Sequence, residues 1–310
     1  MKDTKVIVIL GPTASGKTGL GIRLAKSLNG EIISGDSMQV YRGMDIGTAK
    51  PTHAETEGIP HHLIDILDIK EKFSVADFCL LATEAVRDIS SRGKTPIIVG
   101  GTGMYIETLV SGRLYETESA DEEKRREYEA YARENGADAL HAILRDLDPV
   151  SAEKIHPNNV KRVIRAIEIA SSGDKTKSRL EETNLAEKPF RSLMLYLTPP
   201  SREVMYERIN RRVDIMMEEG LLDEVKSLDK MGLRETPTAS QAIGYKEFFP
   251  YLDGECTLEE SVEKLKQHTR NYAKRQTTYF GHMTELIFVS ADENGGDTAQ
   301  RICEQWLKTL

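Results

Sequence analysis

The segment at residues 6–18, VIVILGPTASGKT, constrains the fold of this chain more than any other segment. Residues 6–10 form an apolar, β-branched run that ends at a glycine, which is typical of a buried parallel strand. Residues 18–28 have the apolar spacing of a helix. Between them, Gly11-x-x-x-x-Gly16-Lys17-Thr18 matches the phosphate-binding P-loop at every fixed position, in the strand–loop–helix context that the motif requires. The segment therefore predicts an anion site at the carboxyl end of a strand.

The alternation of strand and helix continues beyond this loop. Residues 31–34 and 96–99 read as short strands that are each followed by a glycine turn, and residues 76–90 read as the helix between them. A further strand is indicated by LMLYL at residues 193–197, and residues 201–276 are mostly helical. This order predicts an α/β fold, a P-loop NTPase-like parallel sheet with helices on both faces.

The composition and the hydrophobic pattern of the sequence change near residue 119. From there to residue 189 the chain is charged and helical in pattern, with candidate helices at residues 121–135, 138–146 and 159–172. We interpret residues 119–189 as an inserted all-helical domain and residues 1–118 and 190–310 as the catalytic core.

Composition and cysteine usage limit where the protein acts. No run of about 18 apolar residues is present, so a membrane span is not expected. The first residues lack the small-residue cleavage site of a signal peptide. Cys79, Cys256 and Cys303 are far apart and form no CxxC pair, which indicates free thiols without a functional role rather than a zinc or redox centre. We therefore expect a cytoplasmic protein.

Charge is unevenly distributed along the chain. The net charge of −8 argues mildly against a nucleic-acid partner, because an acidic protein repels phosphates at long range. Basic residues nevertheless collect at positions 161–165, 202–212 and 264–275. Local basic stripes on an acidic body are compatible with an RNA partner.

The strand ends around the P-loop differ from those of a nucleoside triphosphatase, which normally adds a strand ending in a Mg²⁺-holding aspartate. The strand at residues 96–99 ends in Gly-Gly-Thr-Gly and carries no acid, whereas the strand at residues 31–34 is followed by Asp36. Asp36 lies where ligands of open α/β folds bind. It could serve Mg²⁺, act as a base toward a substrate nucleophile, or cap its own loop.

Six sequence blocks follow one another between residues 6 and 280: GPTASGKT, SGDSMQVYRGMDIGTAKP, PHHLID, GGTGMY, HPNNVKRVIRAIE and QAIGYKE. Together they resemble the bacterial tRNA dimethylallyltransferases, which prenylate N6 of adenosine 37 beside the anticodon. The P-loop block is generic, but the block that begins DSMQVYRG is highly specific. The three widely spaced cysteines give no indication of the zinc-finger extension of eukaryotic members.

The resemblance implies an allylic donor, dimethylallyl diphosphate, whose diphosphate lies in the P-loop together with Mg²⁺. Asp36 would take the proton from N6 of the adenine, Thr18 would ligate Mg²⁺, and Arg212 would clamp the diphosphate. Arg208 lies one turn from Arg212, and on sequence alone both could be solvated arginines of a surface helix. The diphosphate loop would comprise Gly11, Pro12, Thr13, Ala14, Ser15, Gly16, Lys17 and Thr18.

The resemblance also implies contacts with the anticodon stem-loop of tRNA, made by a monomer. In the helix at residues 159–170, basic residues flank an apolar stripe and could reach RNA phosphates. Arg125 lies in the charged run at residues 121–129, and on sequence alone such a run is usually a solvated helix face. His61 and His62 lack a suitably spaced third metal ligand and are read as loop or core histidines. The expected tRNA-contacting residues are Asp36, Ser37, Met38, Gln39, Thr102, Arg125, Lys161, Arg162 and Arg165.

Three other functions remain open on sequence grounds. An adenylate prenyltransferase would apply the same chemistry to free AMP, but it would need neither a helical insertion nor basic helices. A small-molecule kinase would need a separate acceptor motif, and a nucleotide-dependent RNA-binding switch would need an acid after residue 99. We find neither feature in the sequence.

Overall fold

The computed structural model describes residues 2–112, 122–171, 188–292 and 294–309. The chain divides into two compact units, Met1–Gly112 with Lys188–Leu310, and Arg113–Glu187. Among the residues described, no helix is both long and apolar enough to cross a membrane.

The first unit is built on a six-stranded parallel sheet. Its strands are β1 Lys5–Leu10, β2 Gly30–Ser34, β3 His61–His62, β4 Thr95–Gly100, β5 Arg191–Thr198 and β6 Leu286–Ser290. Their order across the sheet is β3-β2-β4-β1-β5-β6, so the P-loop strand β1 lies between β4 and β5, and β2 lies on the far side of β4.

Helices cover both faces of this sheet, because alternate residues of each strand point to opposite faces. Ile7 and Ile9 of β1 pack with the helices at Lys17–Ser27 and Gly295–Leu307, whereas Val6, Val8 and Leu10 belong to the larger core on the other face. The predicted α/β fold is therefore confirmed. The helices of this unit are α1 Lys17–Ser27, α2 Val75–Ser91, α3 Gly103–Ser111, α8 Arg202–Glu218, α9 Leu221–Lys230, α10 Phe249–Leu252, α11 Leu258–Phe280 and α12 Gly295–Leu307, with 3₁₀ turns at Leu233–Glu235, Ala239–Gln241 and Lys246–Phe248.

Strands β3 and β6 were not predicted. β3 consists of two histidines, so it offers no apolar run to detect, and its pairing with Ile32 and Ile33 of β2 is long-range. β6 does contain an apolar run, LIFVS, but it is an edge strand in which Phe288 is 66% exposed.

The second unit is helical throughout its described part, residues 122–171. It consists of α4 Glu122–Asn135, α5 Ala137–Leu147, α6 Pro149–Lys154 and α7 Val160–Ser171. Leu140 and Leu144 of α5 pack against Val163, Ile164 and Ile167 of α7 to form a core of its own. Residues 119–121 and 172–187 of the predicted insertion lie outside the described residues.

Candidate active site

The P-loop connects β1 to α1 with a backbone that its sequence makes possible. Gly16 has φ +91°, a left-handed conformation that favours glycine, immediately before the first residue of α1. A Cβ atom on Gly11 would lie 2.9 Å from the carbonyl oxygen of Leu197, so β5 leaves no space for a side chain there. The hydroxyl of Ser15 is buried and has no hydrogen-bond partner in the described part of the chain. A loop with this shape and a free internal donor is suited to holding an anion.

Lys17 places its ammonium group in this loop, where Nζ donates a hydrogen bond to the Pro12 carbonyl oxygen at 2.9 Å. Withdrawal from bulk water and, to a smaller extent, the positive charge of Arg212 lower the pKa of Lys17 to about 8, and the negative charge of Asp36 partly opposes them. The three charges are therefore close enough to influence one another.

Asp36 follows β2 and turns its carboxylate back on its own loop. Its Oδ1 accepts a hydrogen bond from the backbone N–H of Met38 at 2.8 Å, the arrangement of an Asx turn. Withdrawal from water raises the pKa of Asp36, although the Met38 N–H and the positive charges of Lys17 and Arg212 act in the opposite direction. The structure therefore combines the capping role with a carboxylate of increased basicity.

The residues that follow Asp36 are held by side-chain hydrogen bonds. The N–H of Ser37 donates to Oγ1 of Thr102 at 3.2 Å. Gln39 accepts from the hydroxyl of Ser34 at 2.8 Å and donates to the carbonyl oxygens of Thr48 and Ala49, each at 3.3 Å. The 36–39 loop is thus fixed to the turn between β4 and α3 on one side and to the 48–49 segment on the other.

Arg212 is placed on the cavity by α8, whereas Arg208 is not. Arg212 lines the cavity beside Ile209, Val213 and Met216, and withdrawal from water lowers its pKa. Arg208 is exposed and does not line the cavity. The structure therefore separates two arginines that the sequence could not separate.

One cavity of about 360 Å³ within the first unit joins these groups. The predicted residues on its wall include Thr13, Lys17 and Thr18 of the P-loop, the Asp36–Gln39 loop and Arg212. The other P-loop residues shape the loop, and Thr102 acts through Ser37. The sequence analysis missed several lining residues, namely Gly47, Thr48, Ala49, Ala242, Ile243, Lys246, Leu265, Thr269, Tyr272, Arg275 and Gln276.

The basic residues predicted to contact tRNA lie in the second unit and differ in their contacts. Arg125 and Arg165 both pair with Glu168, with the Arg165–Glu168 contact at 3.1 Å. Lys161 and Arg162 on the same helix α7 are exposed. Arg125 therefore also ties α4 to α7, whereas the contact of Arg165 lies within α7.

The two histidines of β3 make structural contacts. His62 Nε2 is 2.7 Å from the buried carboxylate of Glu31, and His61 Nδ1 is 2.8 Å from the carbonyl oxygen of Ile59. Across the described ranges, no group of three or more His, Cys, Asp or Glu residues could hold a metal ion. Mg²⁺, however, commonly uses one or two side chains together with substrate phosphates and water. The Thr18 hydroxyl, which faces the cavity, fits that ligand set together with phosphate oxygens of a bound diphosphate.

A phosphate cradle and a basic carboxylate that share one cavity, without an acid at the end of β4, define a group transferase of the P-loop fold. The model of the IPP transferase family matches residues 39–283, and the chain belongs to that family. It is 53% identical over 291 residues to the tRNA dimethylallyltransferase of Halalkalibacterium halodurans, covering 93% of this chain and 91% of that protein. The corresponding figures for the Bacillus subtilis protein of the same name are 51%, 290 residues, 93% and 92%.

Solved structures of related enzymes are also similar. The full-length tRNA isopentenylpyrophosphate transferase of Bacillus halodurans superimposes with a TM-score of 0.71 at 47% identity, covering 98% of this chain and 96% of that chain. A eukaryotic dimethylallyltransferase acting on tRNA gives a TM-score of 0.86 at 34% identity, with coverage of 98% and 80%.

Proposed function

We infer that this chain transfers a dimethylallyl group from dimethylallyl diphosphate to N6 of adenosine 37 of tRNA, giving N6-isopentenyladenosine and diphosphate. One observation carries this conclusion: Lys17, Asp36 and Arg212 surround a single cavity. That arrangement provides cations for a leaving diphosphate and a base for an attacking amine in the same enclosed space. The names of the curated relatives agree with this reaction.

In the proposed reaction, N6 of the adenine attacks C1 of the donor. The N6–C1 bond forms as the C1–O bond breaks, the bonding electron pair leaves with the diphosphate, and a proton of N6 passes to the Asp36 carboxylate. An exocyclic amine is a poor nucleophile, so a positioned base is the expected aid. The raised pKa of Asp36 strengthens it as a proton acceptor.

The leaving diphosphate gains negative charge as the C1–O bond breaks. With the diphosphate in the P-loop, Lys17 and Arg212 of the cavity wall would stabilise this developing charge, and thereby the transition state, more than the bound donor. Mg²⁺, when bound to the Thr18 hydroxyl, would supply further charge neutralisation there. The apolar wall of Ile209, Val213 and Met216 suits a prenyl chain and limits water.

The second unit is proposed to hold tRNA through its basic helix α7. A target base in an anticodon loop must be splayed out to be modified. Lys161 and Arg162 are exposed, so they can meet RNA phosphates without breaking an ion pair described above. We further propose that the enzyme acts as a monomer and that residues 119–189 are its tRNA-contacting insertion.

The test is to incubate the protein with Mg²⁺ and labelled dimethylallyl diphosphate in the presence of unmodified tRNA, AMP or ATP. We expect label in tRNA at adenosine 37 and none in AMP or ATP. Label in AMP at a comparable rate would indicate an adenylate prenyltransferase. In a parallel reaction without donor, steady tRNA-stimulated phosphate release from ATP would indicate an ATPase and contradict the proposed function.

A further inference from the structure

Gln276 on α11 connects two loops of the site that lie far apart in the sequence. Its Oε1 accepts hydrogen bonds from the N–H and the hydroxyl of Thr13 in the P-loop, at 2.8 and 3.2 Å. Its Nε2 donates to the carbonyl oxygen of Gly101, after β4, at 2.9 Å. The side chain is 5% exposed, so these contacts are largely shielded from water.

The chemistry of the two ends permits one orientation of this amide. The oxygen must face the Thr13 donors and the NH₂ group must face the carbonyl oxygen of Gly101. A flipped amide would place its NH₂ group against the Thr13 N–H and its oxygen against the Gly101 carbonyl oxygen, so the contacts with both would be lost. Gly101 has no space for a side chain, since a Cβ atom there would lie 2.2 Å from Nε2. A glycine at position 101 thus allows the contact that Gln276 makes.

The connection continues from Gly101 to the loop that carries Asp36, the proposed general base. Thr102, the next residue, accepts a hydrogen bond from the N–H of Ser37, and Ser37 directly follows Asp36. A continuous path therefore runs from the phosphate loop through Gln276 to the loop that carries the carboxylate.

The helix that carries Gln276 is itself anchored on both sides. Ala273 is fully buried and packs with Met205 and Ile209 of α8, a cluster that also contacts Ala14 of the P-loop. At the end of α11, Phe280 packs on Tyr196 of β5 with ring centroids 5.6 Å apart. A helix held in this way can act as a rigid reference for both loops.

We propose that Gln276 is a positioning residue that sets the separation between the bound diphosphate and the Asp36 carboxylate. This inference rests on the proposed prenyl transfer, because it concerns the distance between the leaving group and the base of that reaction. Gln276 acts through Thr13 and Gly101. Its loss should leave each substrate bound but misaligned with the other, and a misplacement of about 1 Å can cost roughly 10²-fold in rate.

The test compares Gln276→Met with the matched control Gln300→Met, which removes an amide that donates to Glu304 within α12 at 2.9 Å. Single-turnover prenyl transfer is measured with saturating tRNA and donor, and the Kd of inorganic pyrophosphate is measured separately by calorimetry. We expect Gln276→Met to lower the single-turnover rate by about 10²-fold while the Kd of pyrophosphate changes less than about 3-fold. The control should keep the wild-type rate.

A second variant, Gln276→Glu, gives a readout that lost packing would not produce. The introduced carboxylate keeps an acceptor for Thr13 but places a second acceptor against the Gly101 carbonyl oxygen. Protonation restores the missing donor, so the ratio of the variant rate to the wild-type rate should rise as the pH falls. Protonation of Asp36 occurs in both enzymes and cancels in that ratio.

Two results would overturn the positioning role: a Gln276→Met rate equal to that of the control, or a loss of pyrophosphate affinity as large as the loss of rate. If Gln276→Met does not fold, the rate ratio of Gln276→Glu decides, and a ratio independent of pH overturns the role. Wild-type protein that leaves tRNA unlabelled would instead refute the proposed function, and the inference with it.

Discussion

Replacing Asp36 by asparagine tests the proposed base with almost no change of shape. The Oδ1 of asparagine can still accept the hydrogen bond from the Met38 N–H, now 2.8 Å long, so the turn should persist. The substitution removes the negative charge and the proton-accepting capacity. Loss of a general base typically costs about 10²–10⁴-fold, and we expect the single-turnover rate of prenyl transfer to fall within that range.

The stability of the same variant has an expected sign. The pKa of Asp36 is raised in the folded protein above its unfolded value, so its contribution to the free energy of unfolding is present below about pH 4 and is lost as the pH rises through the folded pKa. At neutral pH the carboxylate therefore costs stability. Asp36→Asn should unfold in urea at a midpoint no lower than that of the wild type.

The two measurements together isolate the chemistry. Single-turnover rates at saturating tRNA and donor report the transfer step, and urea titration at pH 7 reports folding. The wild-type rate should also decline as the pH falls through the raised pKa of Asp36, whereas the low rate of the variant should lack that decline. A variant that keeps more than about a tenth of the wild-type rate would refute the role of Asp36, because that loss is far smaller than a general base provides.

Three further outcomes are expected. Because the pKa of Lys17 is about 8, its positive charge is lost above that pH, and the affinity of the wild type for inorganic pyrophosphate should weaken there. The affinity of Lys17→Met should depend less steeply on pH, and isothermal calorimetry across pH will measure both. Tyr245→Phe removes the hydrogen bond from the tyrosine hydroxyl to the Glu224 carboxylate, 2.7 Å long, and should lower the free energy of unfolding by about 1.5–3 kcal/mol in urea titrations; an unchanged value would mean that water replaces the contact. Arg162→Ala should reduce the salt dependence of tRNA binding by about 0.7–0.9 in slope, and Arg165→Ala should reduce it less because that arginine is already paired; equal slopes in filter-binding assays would contradict the distinction.

The parts of the site that lie on continuous sequence could be predicted. The P-loop is recognisable because its strand, glycine turn and helix are adjacent in the chain. The placement of Asp36 followed from a general rule, since ligands of parallel sheets bind beyond the carboxyl ends of the strands. Both inferences needed local sequence and one topological rule.

The parts that depend on packing between distant elements could not be predicted. Arg208 and Arg212 both flank the apolar stripe of α8, so helical periodicity does not distinguish the exposed residue from the one on the cavity. Gln276 bonds to Thr13 across 263 positions of sequence. Its signal was a polar residue within the buried face of α11, one turn from Ala273 and Phe280, and such a residue needs a partner.

The order of the strands explains why this P-loop serves a transferase. β4 is the neighbour of β1, and it ends in glycines where a nucleoside triphosphatase would place an acid. A Cβ atom on Gly100 would lie 2.3 Å from the carbonyl oxygen of Gly35, so the glycine lets the loop after β2 come into contact with the end of β4. That approach brings Asp36 within electrostatic reach of Lys17 although a whole strand separates β2 from β1. The loop after β2 thus supplies to the cavity the carboxylate that the end of β4 lacks.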